Sequence, residues 1–130
     1  MNNTSINFLK DINKLNIIRC TSTILEIESR YIYATDEGKI IMNSNEVRLA
    51  LTFVNYTFGL PLSVDVFMAG GYSNNIDNEY FFSKLATCLS SDLFFLQDDE
   101  NGRLFKVSGD ILDQKCTFKI IDDQEFLFLI

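Results

Sequence analysis

A chain of 130 residues, 47% of them hydrophobic, can bury one compact core and has no length for a second domain. The formal charge of −7 and a pI near 4.4 exclude the basic footprint that nucleic acid or an anionic membrane requires. Histidine is absent, which removes Ser-His-Asp and Cys-His catalysis, His-ligated metals and the commonest general base near neutral pH.

Taken in order, Ile6, Leu9 and Ile12 recur at three-residue spacing with Thr4 or Ser5 available as a cap, and predict a short helix over 5–14. From 16 to 42 the texture reads as β: Leu25, Ile27, Tyr31 and Tyr33 share one parity, and Glu26, Glu28 and Arg30 the other. The turn Thr35-Asp36-Glu37-Gly38 leads into a hairpin partner over 39–42. The longest alternation, 46–58, puts Val47, Leu49, Leu51 and Phe53 on one side, so a central strand is expected there. Gly59-Leu60-Pro61 turns the chain into a strand whose inward residues are Leu62, Val64, Val66 and Met68. Ala69-Gly70-Gly71 ends it as turn punctuation, because the Gly-Lys-Ser/Thr ending of a phosphate loop is missing. A polar connector follows, in which Asn75, Asp77 and Asn78 can cap a helix.

The stretch NEYFFSKLATCLSSDLFFLQDDENGRLFKVS, residues 78–108, carries the clearest pattern. Phe82, Leu85, Ala86 and Leu89 share a helix face, and Leu93-Phe94-Phe95-Leu96 then form a dense apolar run too short for another helix. The acidic turn Asp98-Asp99-Glu100-Asn101-Gly102, with Gly102 free to take positive φ, returns the chain as a second strand over 103–108. Further turns at Ser108-Gly109-Asp110 and Asp122-Asp123 predict two more strands, with Cys116, Phe118 and Ile120 alternating in the first and Phe126, Phe128 and Ile130 in the last. The sum is an α+β single domain over 1–130, a mainly antiparallel sheet with an N-terminal helix and a central helix packed on it.

Cys20, Cys88 and Cys116 are odd in number and far apart, which predicts reduced, buried thiols rather than a disulfide framework or a zinc site. No basic segment precedes an apolar one at the amino terminus, and no run approaches the roughly eighteen apolar residues of a membrane span. A cytoplasmic protein without membrane contact is therefore expected. The acids before Gly102 lack the alternation and the distant Glu of a calcium loop, so neither metal nor cofactor is implied, and no cluster marks an enzyme.

Charge is unevenly distributed. Residues 1–91 carry nine acids and seven bases, whereas residues 92–130 carry nine acids and four bases. Asp98, Asp99, Glu100, Asp110, Asp113, Asp122, Asp123 and Glu125 fall at turns or strand ends of the final meander, and alternate turns of a meander share an edge. An acidic rim of this kind would draw in a basic partner by long-range attraction, and these eight residues are the candidate partner-binding site.

The order of helix, small-residue end, apolar strand, acidic turn with Gly and second strand in FFSKLATCLSSDLFFLQDDENGRLFKVS resembles the helix-hairpin segment of bacterial immunity proteins. These accompany contact-dependent or polymorphic toxins. The resemblance implies an antidote that occludes a cognate, basic toxin domain, often a nuclease, without covalent chemistry. Length and acidity also resemble type III secretion chaperones, which bind an effector as a homodimer but end in a helix where this chain ends in strands. A small-molecule-binding domain is a third class, which would need an apolar pocket.

Overall fold

Thr-Ser-Ile-Asn-Phe alternates, and it forms the strand β1 (Thr4–Phe8) where the three-residue spacing of Ile6, Leu9 and Ile12 had implied a helix. In the computed structural model, which describes residues 3–69 and 76–130, Ile6 and Phe8 enter the core while Ser5 and Asn7 take the opposite parity. The first helix, α1 (Lys14–Leu25), begins only at Lys14, where Asn13 caps it by accepting from the Asn16 amide at 3.2 Å. Residues 16–25 are thus helical rather than β. Their β-branched side chains disfavour a helix intrinsically, but Ile17, Cys20, Thr21, Ile24 and Leu25 recur at helical spacing. Burying that face outweighs the propensity, which spans well under about 1 kcal/mol per residue.

After a 3-10 turn at Ser29–Tyr31, β2 (Ile32–Asp36) and β3 (Lys39–Met42) make the expected hairpin, with Glu37 and Gly38 at positive φ. β4 (Leu49–Asn55) is shorter than its alternation implied, runs parallel to β2 and pairs antiparallel with β5 (Leu62–Met68). Leu49, Leu51, Phe53, Leu62, Val64 and Val66 bury as the alternation requires. Asp77 caps α2 (Asn78–Leu89) through the Tyr80 amide at 2.8 Å, whereas Gly70, Gly71 and Asn75 lie outside the described residues. β6 (Leu93–Leu96), β7 (Asn101–Phe105), β8 (Ile111–Ile121) and β9 (Gln124–Leu129) follow as the expected meander.

The nine strands of the described residues join one sheet in the order β3-β2-β4-β5-β1-β6-β7-β8-β9. β1, not β4, takes the middle, because the chain's first strand inserts between β5 and β6. The fold is α+β, a mainly antiparallel sheet with an N-terminal and a central helix against one face. Phe82 of α2 anchors that layer, its ring centroid 4.9 Å from Phe95 and 5.2 Å from Phe105.

Two expectations about single residues are corrected. Cys20 and Cys88 are not reduced thiols: they form a disulfide between α1 and α2, with Cα atoms 6.0 Å apart, and Cys116 alone is free and buried. The helices each present a cysteine where their faces meet, a proximity that a separation of 68 residues hides in the sequence. Gly102 is not a positive-φ turn residue either. It sits in β7 opposite Leu96, and a Cβ there would overlap the Phe94 ring and the Phe95 carbonyl, so close approach is what demands glycine.

β8 is much longer than β7, and this shapes the molecule. Asn101 pairs with Lys115, and from Cys116 to Ile121 β8 pairs only with β9, forming an arm roughly 17 Å long at about 3.3 Å per residue. The arm folds back. Leu60, between β4 and β5, donates its amide to the Leu127 carbonyl at 2.8 Å, and Phe126 meets Phe58 and Tyr56 edge-on at 5.3 and 6.3 Å. The sheet therefore curls until its last strand reaches the tip of the β4–β5 hairpin.

Candidate functional site

The seam between the two halves of the sheet is weak. β1 pairs with β5 over five residue pairs but with β6 over two, Asn7 with Phe94 and Phe8 with Leu93. Beyond that point the β1–β6 ladder stops, which leaves an opening beside Ser5 on one strand and Leu96 on the other. The arm crosses this opening, and the result is a cleft of about 520 Å³.

Its lining follows from strand parity. On the face away from the helices, Ser5 lies opposite Asp65 and Asn7 opposite Ser63, so the floor is largely polar, with Val54 opposite Ser63 on its other side. The Ser5 hydroxyl donates to the Asp65 carboxylate. Tyr56, Leu60 and Leu96 contribute apolar walls, and Phe118, Glu125 and Leu127 come from the arm. Asp65 and Glu125 are the only charged residues of the lining among the described residues, and no lysine or arginine joins them there. Thr4 also borders the cleft, and its buried hydroxyl has no hydrogen-bond partner among the described residues.

The eight candidate acids separate into groups. Asp98, Asp99 and Glu100 stay together in the β6–β7 turn, where the Asp98 carboxylate accepts from the amides of Glu100 and Asn101 at 2.9 and 2.8 Å. Those bonds, the Glu100 amide foremost, hold the Asp98 carboxyl below its ordinary range. The Glu100 carbonyl accepts from the Cys116 amide at 2.9 Å, which ties this turn to the root of the arm. Burial, reinforced by Asp98, Asp99 and Glu100, pushes the Cys116 thiol up and leaves it protonated. Asp122 and Asp123 form the arm's tip, both at positive φ, and Glu125 lines the cleft behind them. Asp110 sits in the β7–β8 turn at the opposite end of β7, bonded by the Ser108 hydroxyl at 3.1 Å, and Asp113 lies mid-strand opposite Arg103. Among the described residues no group of His, Cys, Asp or Glu gathers as metal ligands, and no helix is long and apolar enough to cross a membrane.

No protein-family model, curated protein or solved structure matches the chain.

Of the cleft residues, sequence reasoning singled out Glu125 alone, and for its charge rather than for a cleft. Ser63 and Asp65 were legible as the outward parity of a strand, which ordinarily means solvated. What made them a site was β1 beside them and the arm above them, both set by long-range pairing.

Proposed function

We propose that this protein is an immunity protein, a non-catalytic antidote that binds and occludes a cognate, basic toxin domain. One observation carries the reading. The four ion pairs among the described residues use Asp36, Glu28, Glu46 and Glu79, so none of the nine acids from Asp92 onward is neutralised in this way. Surplus charge held on rigid hairpin turns attracts a basic partner from a distance and costs little ordering on contact. The arm adds an apolar anchor inside that charge, for Ile120 is 77% exposed.

Asp98, Asp99 and Glu100 at the arm's root and Asp122, Asp123 and Glu125 on the arm form the proposed contact surface, with Asp113 contributing from opposite the middle of β7 and Asp110 from its far end. The disulfide turns the expectation of a cytoplasmic protein toward an oxidising compartment, since cytosolic thiols are kept reduced. Fractionation of producing cells decides between the two.

Co-expression with the product of the adjacent upstream gene tests the antidote reading. The product is expected to be toxic alone and harmless beside this protein, and a harmless product or unrelieved toxicity sinks the proposal. A small-molecule-binding domain is the second reading, favoured by a cleft within the usual range of about 300–1,000 Å³.

A further inference from the structure

The cleft under the arm has a chemistry of its own. Its two charged groups among the described residues are both carboxylates, Asp65 on the floor strand β5 and Glu125 on β9 of the arm. Among the described residues neither takes part in an ion pair, and the hydrogen bond that Asp65 accepts there comes from the neutral hydroxyl of Ser5. The same lining includes Tyr56, Leu60, Phe118 and Leu127, which offer apolar surface and aromatic rings. Two uncompensated negative charges repel an anion and leave a neutral alkane no advantage over water beyond its area. A cation on an apolar stem satisfies both parts of the lining, the stem covering the walls while the charge stays near the carboxylates.

We infer that this cleft binds an organic cation carried on an apolar stem, an alkylammonium or alkylguanidinium, between Asp65 and Glu125. Such a group is available as a free amine or as a Lys or Arg side chain of a bound protein. The inference does not depend on the antidote reading, because the probes below involve no toxin.

The test is an NMR titration of the full chain with n-hexylamine, n-hexanol and n-hexanoate at one fixed ionic strength, repeated on D65N and E125Q. Hexylamine is expected to give saturable shifts of the Ser5, Ser63 and Leu127 amides, hexanol weaker ones and hexanoate none. Each substitution should weaken hexylamine by about threefold to fivefold, the scale of one solvent-screened charge pair. Both side chains are exposed and the replacements nearly isosteric, and an unchanged spectrum away from the cleft verifies the fold of each variant. The tripeptide Ac-Gly-Lys-Gly-NH2 separates the two sources. If it binds like hexylamine, a protein side chain fits; if it is excluded while hexylamine binds, the ligand is a free amine. Both results uphold the inference. Equal binding of hexylamine and hexanol, binding of hexanoate, shifts confined to other residues, or variants that bind hexylamine unchanged would each overturn it.

Discussion

The Leu60 amide reaches the Leu127 carbonyl at 2.8 Å, and this bond holds the β8–β9 arm against the rest of the sheet. Gly59 sits beside it at φ +69, with its α-carbon so close that a Cβ would overlap the Leu127 carbonyl. Gly59→Ala should therefore cost backbone strain and prise the arm away, about 2–3 kcal/mol in urea unfolding. Gly38→Ala is the comparison, because φ there is +85 but nothing lies within 4 Å of the added methyl. It should cost about 1 kcal/mol, the strain alone. Hydrogen exchange over 124–129 should accelerate in the first variant only. Equal costs and unchanged exchange would mean that the clasp does not hold the arm.

The Cys20–Cys88 bond closes a long loop, so reducing it should destabilise the protein by about 2–4 kcal/mol. Thiol titration checks the assignment directly. The native protein should show no reactive thiol, the denatured protein one, from Cys116, and the denatured and reduced protein three. Two or more thiols in the unreduced, denatured protein would contradict the bond.

Lys14 at the start of α1 bonds Asp36 at the end of β2 across 2.7 Å. That bond, ahead of the Asn55 amide, holds the Asp36 carboxyl below its ordinary value. A carboxyl with a depressed folded value contributes stability above its unfolded pKa of about 3.9 and loses it as pH falls toward the folded one. Lys14→Met should remove about 0.5 kcal/mol at pH 7, the size expected of a partly exposed pair, and progressively less below about pH 4. Denaturation midpoints of both proteins across that range decide the matter, and a difference that grows on acidification would refute the pairing.

Thr4 carries a buried hydroxyl without a partner among the described residues. Thr4→Val keeps the shape and removes the orphaned group, and should stabilise the fold by about 1 kcal/mol. A loss of stability would mean that the hydroxyl is satisfied, by water or by a bound group.

The carboxy-terminal half was legible in the sequence because its structure is local. Asp77 caps α2, Phe82 and Leu85 mark its face, and each later strand pairs with its chain neighbour across a short turn. Residues 1–25 were not, although the β2–β3 hairpin and the strands β4 and β5 after them were. Ile6, Leu9 and Ile12 mimicked a helix, and five of the twelve residues of α1 are β-branched, with a preference that burial of its face reverses. Asp65 and Glu125 share a cleft although they stand sixty residues apart, because β1 pairs with β5 and the arm curls over both. Local periodicity carries no record of such closure. The acids of the meander were readable as charge, whereas their division between the root and tip of an arm and the far end of β7 depended on the unequal lengths of β7 and β8.

The most direct measurement of the central claim is the association rate constant between this protein and the product of the adjacent upstream gene, followed by stopped flow across a range of salt. An acidic surface that captures a basic toxin requires the rate to fall as salt rises. Reversing Asp122, Asp123 and Glu125 to Lys should slow it about tenfold at low salt and flatten that dependence. A rate indifferent to salt and to the reversal, or no complex at all, would contradict the account.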